Sequence, residues 1–423
     1  MSPKPVRHRP FAKFLRWFWL LLGIYCAVTA ILSLTVDPWR INNTRLSLYS
    51  LDPSREISNT VRVGKAALAN KGDWETVILG SSRIEIGLDP KHPAFEGKRT
   101  VNLAMAAANL YENVPAGNYI LDRNPKLKTL ILGIEAGDLH NDFDSRKYTR
   151  FYQSPFADNN RSIERGINQI IGGRTLADSI ATIQRHLKGT RPKRNQLGQW
   201  LQPNHPANLR KYVESTFQMG FESADDAWAL RPQKLRDQKA ELLAGFIRRV
   251  RESGIKMHIV VSPQHALKQI QPTLDEPSGI CWEHDLLALV EICKKANSAS
   301  INGPPVALWS FLTFNEYTTR TLPRPEDKSQ QMGGWFDIGH AQPGLGEKVI
   351  ETVFSAQPVT DPAGAAYGIN LLETQWDAIR SQWVAAHMTY CKTHPEDVKW
   401  WRSLVAASSR SKQKPRIMVE SEE

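Results

Sequence analysis

Residues 75–87 read ETVILGSSRIEIG, an apolar run that ends at Gly80 in two hydroxyls, Ser81 and Ser82, followed by Arg83. A serine hydroxyl is a poor nucleophile until a base takes its proton. Residues 333–354, GGWFDIGHAQPGLGEKVIETVF, hold a candidate base, His340, with Asp337 three residues before it. On one helical turn or in a compact loop, that spacing lets the carboxylate hold one ring nitrogen and leaves the other free for the serine proton. Ser82, Asp337 and His340 are therefore the candidate catalytic set, suited to attack on an ester carbonyl. A plainer reading stands beside it: serine is favoured as a helix cap, which would explain Ser81 and Ser82 without any chemistry. Arg83 could bind an anionic substrate group or sit in an ordinary salt bridge.

Two other groupings of reactive side chains carry less. Asp138, His140, Asp142 and Asp144 could suggest a cation, but no ligand spacing accompanies them, and they read as a solvated loop after a strand. Cys26, Cys281, Cys293 and Cys391 show no CxxC or metal-ligand spacing. Cys281 and Cys293 could be bridged outside the cytosol, although nothing in their spacing requires it. Neither a metal nor a cofactor is expected.

For the serine and the histidine to meet, the fold must bring two distant segments to one edge. From residue 75 onward, short apolar runs alternate with helix-like stretches, the pattern of an α/β sheet. Candidate strands are TVILG (76–80), TVNLAM (100–105), LKTLILGI (127–134), KMHIVVSP (256–263) and PVALWSFL (305–312). Runs without polar alternation suit parallel strands covered on both faces. The stretch RDQKAELLAGFIRRVRESG predicts a helix with Leu243, Phe246, Ile247 and Val250 on one face and Gly254 as its cap. Further helices are expected over 281–296 and 344–355. The expectation is a three-layer α/β/α sandwich with a mainly parallel sheet, preceded by one transmembrane helix. Ligands of open α/β sheets bind at the carboxyl ends of the strands. TVILG delivers Ser81 and Ser82 to that edge, and a helix starting there would offer unpaired N–H groups to a developing oxyanion.

The amino terminus speaks to location. Residues 17–36, WFWLLLGIYCAVTAILSLTV, form an uncharged segment long enough to cross a bilayer, with Lys4, Arg7, Arg9, Lys13 and Arg16 before it. The positive-inside rule puts that end in the cytoplasm and exports the remainder of the chain. A cleaved signal would want a shorter core with small residues just beyond it, whereas Ala27 and Ala30 lie inside the run. A lipoprotein signal would want a small residue where Tyr25 precedes Cys26. The chain thus divides into a basic tail (1–16), the anchor (17–36), a juxtamembrane lead (37–74), an α/β domain (75–358) and a helical extension with a disordered tail (359–423). The polar, weakly patterned stretch 141–228 reads as an insertion or lid over the carboxyl edge of the sheet. Trp376, Trp383, Trp400 and Trp401 could stack on sugars, but they read better as the packing of a terminal helix. The net charge of +11 is scattered, and no recognition helix or zinc finger accompanies it. Anionic lipid or an anionic envelope polymer fits that charge as well as nucleic acid, which is not an expected partner.

GSSR after a first strand, NLAMAAAN after a second and DIGH before a last helix together resemble the SGNH (GDSL-type) hydrolase superfamily. The match runs in order over roughly 75–355 and is nearest to membrane-anchored cell-envelope members, among them proteins of alginate O-acetylation and of D-alanyl transfer to teichoic acids. The resemblance implies an SGNH/flavodoxin-like sandwich with Ser82 as nucleophile, His340 as base and Asp337 as its orienter. The family builds its oxyanion hole from the nucleophile's N–H, a glycine N–H in the second block and an asparagine side chain in the third. Here the second-block position is Ala107, the third block reads GIEAGDLHND without a GxND match, and Asn102 is a possible substitute donor. The function implied is a periplasmic or extracytoplasmic, single-pass serine esterase or O-acyltransferase of the inner membrane. Its substrate would be an acylated envelope glycan or small ester, and other membrane proteins of polysaccharide modification are possible partners. The altered third block favours an alternative, a non-catalytic assembly or binding protein that retains the fold.

Overall fold

The computed structural model describes residues 9–41, 46–55, 61–71, 73–140, 143–157, 162–190, 192–201, 208–218, 233–270, 279–324, 326 and 332–410. Its centre is a sheet of strands β1 (Thr76–Leu79), β2 (Thr100–Asn102), β3 (Thr129–Ile134), β4 (Lys256–Val261) and β5 (Ala307–Ser310), with the two-residue β8 (Ile369–Asn370) at one edge. The strand order is β2-β1-β3-β4-β5-β8. Neighbours among the first five strands are parallel, and β8 pairs antiparallel with β5. A separate two-stranded ribbon joins β6 (Val359–Thr360) to β7 (Ala366–Tyr367).

Both faces of this sheet are covered, which is why its strands read as unbroken apolar runs. Val77, Leu79, Leu130, Leu132 and Ile259 face one side, in a core with Leu243, Phe246, Ile247 and Val250. That side carries α2 (Val61–Asn70), α4 (Leu110–Arg123), α8 (Gln233–Glu252) and α10 (Glu283–Ser298). Ile78, Ile131 and Val260 point the other way, to α3 (Ser82–Gly87) and α11 (Pro343–Ser355) through Ile84, Val349, Ile350 and Val353. The fold is thus a mixed α/β arrangement, a mostly parallel sheet with helices on both sides. Each wholly buried aliphatic side chain contributes ~1.5–3 kcal/mol over an exposed one.

Several boundaries differ from expectation. Of the expected strand 100–105, β2 keeps Thr100–Asn102, and beyond it Leu103 and Met105 still donate to the carbonyls of Ile78 and Gly80. The amino-terminal helix α1 runs Arg9–Thr35, so part of the basic tail is already helical. Its segment Phe11–Thr35 is long and apolar enough to cross a membrane. The insertion at 141–228 is not a single lid. Helices α5 (Ser162–Ile171) and α6 (Gly173–Lys188) pack on α1, while residues 194–200 cover α3 and the β2 edge. The third described helix of this stretch, α7 (Leu209–Gln218), meets the terminal helix α13 (Pro395–Arg410), which follows α12 (Trp376–Thr393) and also touches the short α9 (Ala266–Gln269). Trp383 and Trp401 are buried, and the indoles of Trp376 and Trp400 donate to Glu283 and Glu214, so these tryptophans pack the terminal helices. No disulfide joins Cys26, Cys281, Cys293 or Cys391. The polar end, 411–423, lies outside the described residues.

The acid and histidine cluster after β3 is not a solvated loop. Asp138 is 3% exposed, pairs with Lys239 at 3.0 Å and accepts the Leu110 N–H that opens α4. His140 is buried within 3.8 Å of Asp285, and Asp144 pairs with Arg146. A partner 101 positions away in sequence turns Asp138 into a buried tie. Asp142 falls outside the described residues, and among those described no group of three or more His, Cys, Asp or Glu could hold a metal ion.

Buried histidines give the fold an acid-sensitive point. His258 on β4 lies against Phe354, and neither ring nitrogen has a hydrogen-bond partner among the described residues. Burial, helped by Lys256, holds its pKa down to about 4 from an ordinary 6.5. Between those values the unfolded chain binds the proton and the folded chain does not. Stability therefore falls as pH drops through that window, by about 3 kcal/mol from this site. Burial holds His265 near 4 as well. Replacing His258→Leu should roughly halve the histidine share of the drop in melting temperature between pH 7 and 4.5, measured in detergent by circular dichroism. An unchanged slope would place the acid sensitivity elsewhere.

Candidate active site

The site begins where β1 stops. Gly80 has φ 153°, and a Cβ on it would lie 2.6 Å from the Ile84 side chain, so only glycine lets the chain turn into α3 over that isoleucine. Ser81 is the helix cap, its oxygen accepting the Arg83 N–H at 3.2 Å. Ser82 is the first helical residue, where amide groups have no acceptor within the helix. The two hydroxyls of GSSR therefore separate into a cap and a candidate nucleophile.

The second half of the site is a turn closed on itself. One Asp337 oxygen, Oδ1, accepts the N–H of Gly339 at 2.7 Å and of His340 at 2.8 Å. The same carboxylate meets His340 Nδ1, at 3.0 Å from Oδ1 and 2.8 Å from Oδ2. Asp-x-Gly-His thus lets one carboxylate hold both its own loop and the base. Burial alone would raise the Asp337 pKa, but it is outweighed by His340 and by the accepted N–H bonds, and the group stays well below the ordinary carboxylate range. Phe336 N–H to His340 O at 2.9 Å and Gln342 N–H to Gly334 O at 2.8 Å close the loop, while buried Trp335 pins it by donating to Tyr317 O.

The halves meet. Ser82 Oγ lies 2.9 Å from His340 Nε2 across 258 positions of sequence. With the carboxylate at Nδ1, the proton belongs on that nitrogen, and Nε2 presents its lone pair to the serine O–H. The imidazole is 27% exposed and Asp337 12%, so the candidate base is open to solvent and the carboxylate behind it is shielded. Helix packing sets this approach. Gly346 of α11 lies against Gly87 of α3 so closely that a Cβ at Gly346 would overlap the Gly87 carbonyl.

The surroundings are charged. Arg83 pairs with Glu135, which also accepts from Ser81 Oγ and, at 3.4 Å, from Ser262 Oγ. Arg83 Nη2 and Lys268 Nζ each lie 3.5 Å from where a Gly339 Cβ would stand, so two cations border the turn that carries the base. Ala107 has φ 58°, the left-handed conformation that glycine adopts freely. Its loop follows Met105 past Gly80 and is tied down by Arg62, which bonds Ala106 O at 2.7 Å and Glu112 at 2.9 Å. Asn102 does not serve as an oxyanion donor. Its amide nitrogen is committed to the carbonyls of Ile84 (3.1 Å) and Leu88 (2.9 Å), and the residue is fully buried. It braces α3.

Sequence reasoning missed three participants in this architecture. Glu135 follows β3 directly, at the same sheet edge as Ser82. Its signal was a carboxylate at the carboxyl end of an apolar strand. Lys268 carried no signal. Glu85, an acid inside the apolar run RIEIG, is fully buried with Lys65 at 2.9 Å and Arg194 at 2.7 Å.

Comparison with family models, curated proteins and solved structures found no match to this chain. What the residues can do therefore rests on their geometry. A hydroxyl, an imidazole and a carboxylate in hydrogen-bonded sequence are suited to nucleophilic acyl transfer.

Proposed function

We propose that this chain is a membrane-anchored, extracytoplasmic serine esterase or O-acyltransferase of the SGNH type, acting on an acylated envelope glycan or a similar ester. One observation carries the reading: Ser82 Oγ stands 2.9 Å from His340 Nε2, with Asp337 on the far ring nitrogen. In the reaction, His340 Nε2 takes the proton as Ser82 Oγ attacks the ester carbonyl. The N–H groups of Ser82 and Ala107 are the donors for the resulting oxyanion. Collapse expels the alcohol, which receives the proton back from His340 and leaves an acyl-serine. Water or a sugar hydroxyl, deprotonated by the same imidazole, then takes the acyl group. The apolar length of Phe11–Thr35 and the basic residues before it support a single-pass anchor with the α/β domain outside.

A membrane-impermeant fluorophosphonate, applied to vesicles of known sidedness, tests this. Wild-type protein should label from the exported side and Ser82→Ala should not. Label retained in Ser82→Ala would refute Ser82 as nucleophile. Absence of label in both would favour the second reading, a non-catalytic envelope binding protein. Two observations favour that reading: Asn102 is unavailable as a donor, and the Glu135 carboxylate stands beside Ser81.

A further inference from the structure

We propose that α5 and α6 form a lipid-facing hairpin that seats the exported domain in the membrane leaflet beside α1. This rests on the reading of α1 as a membrane span. The two helices are amphipathic in the reverse sense to a surface helix of a water-soluble domain. On α6 the polar side chains Thr175, Asp178, Ser179 and Thr182 are buried, while Ile180 is 44% and Leu187 79% exposed. On α5 the exposed residues are Ile163 (78%), Ile167 (52%) and Ile170 (38%), spaced to make one stripe along the helix. Water would drive such stripes inward, and a folded domain rarely displays them without an occupant.

The occupant is set by the neighbours of the hairpin. It packs on α1 along a face of small residues that includes Cys26, Thr29, Ala30 and Ser33; Thr29 and Ser33 are buried, and Ser33 Oγ donates to Gln169 O at 2.9 Å. Small residues allow the close helix approach common between membrane helices. Gly173, at the turn between α5 and α6, stands beside the Tyr25 hydroxyl. Tyr25 lies ten residues, about 15 Å, inside the end of α1. The exposed isoleucines therefore continue the apolar surface of Ile24, Val28 and Ile31, a surface that can face only lipid if α1 spans. The charges agree with that setting. Arg174 Nε lies 3.6 Å from Asp178 and Arg165 Nη1 donates to Ala157 O, so these cations are held by the protein, while the exposed Lys188 at the last position of α6 can reach anionic headgroups. The buried polar face has partners of its own, since Trp39 Nε1 donates to Asp178 at 2.8 Å and Arg185 Nε to Ser54 O at 2.9 Å. Those bonds tie the hairpin to the lead that follows α1.

The test uses full-length protein in liposomes with one environment-sensitive NBD label per molecule. Labels go on Ile167→Cys or Ile180→Cys, on Ile24→Cys as the span control and on Leu287→Cys as the water control. Cys26 and Cys391 are replaced by alanine. Cys281 and Cys293 remain, because burial makes both poor thiolates, Cys293 pushed up to about 12. Lipids brominated in the acyl chain should quench most of the emission at positions 24, 167 and 180 and spare position 287. Quenching at 24 with both hairpin positions behaving like 287 would overturn the hairpin and leave the anchor standing. No quenching at 24 would remove the anchor, and the hairpin with it.

Discussion

Turnover of an activated ester should fall on the order of 10⁶-fold in Ser82→Ala and in His340→Ala, and about 10⁴-fold in Asp337→Asn. The three side chains act in series, so combining the changes should cost little more than the worst single one. The smaller figure for Asp337→Asn has a structural origin. Asp337 accepts three hydrogen bonds, two from backbone N–H groups and one from Nδ1. An asparagine can preserve the turn with its amide oxygen while its NH2 group faces Nδ1. The ring then carries its proton on Nε2, and no lone pair remains for the serine. The variant should keep its melting temperature at neutral pH within a few degrees and lose rate, a combination that separates tautomer control from folding. At low pH the sign is fixed by the depressed Asp337 pKa. The stabilisation from the ionised carboxylate is present above its ordinary pKa of 3.8 and disappears as pH falls through the lower folded value. Rates of all three variants within tenfold of wild type would remove the catalytic set.

The parts legible in the sequence were those decided locally. The strands are apolar runs because both sheet faces are covered, and Leu243, Phe246, Ile247 and Val250 share a face because helical spacing puts them there. Asp337 and His340 were legible because three residues is the reach of one turn. Their meeting with Ser82 was an expectation of sheet topology, and in the structure it depends on Gly346 against Gly87, a contact no single-segment pattern could reveal. Long-range electrostatics were the blind spot. Asp138 read as solvated because Lys239, its buried partner, is far along the chain. Helices α5 and α6 do carry a helical period, with Ile163, Ile167 and Ile170 on one stripe; that this stripe faces outward depends on their packing against α1, which no local pattern shows. β8 and the β6–β7 ribbon are two-residue strands, too short to show any period.

The second large effect comes from Glu85, three residues after Ser82 on α3. Its carboxylate is fully buried between Lys65 at 2.9 Å and Arg194 at 2.7 Å. Burial alone would raise its pKa, but the two cations together outweigh that and hold it lowered. Replacing Glu85→Gln leaves two buried cations without their counter-charge, which should destabilise the domain by about 3–5 kcal/mol. Lys65 supplies a second readout. Burial, only partly offset by Glu85, holds its pKa at about 8 against an ordinary 10.5. Between those values the unfolded chain binds the proton and the folded chain does not, so this group favours folding increasingly as pH rises. Removing Glu85 lowers the Lys65 pKa further, which starts that recovery at lower pH. The deficit of Glu85→Gln should therefore be smaller at pH 9 than at pH 6 in paired thermal melts, whereas a packing defect would be indifferent to pH. Below its melting temperature the variant should also turn over ester about 100-fold more slowly, because a shift of about 1 Å in α3 carries Ser82 away from His340. Lys65 also bonds the Asn102 and Gly198 carbonyls, and Arg194 comes from the same stretch as Gly198, so the anion on α3 also anchors the 194–200 segment over that helix. A variant with normal stability and turnover would show that Asn102 and the apolar contacts with α11 hold α3 without this buried charge cluster.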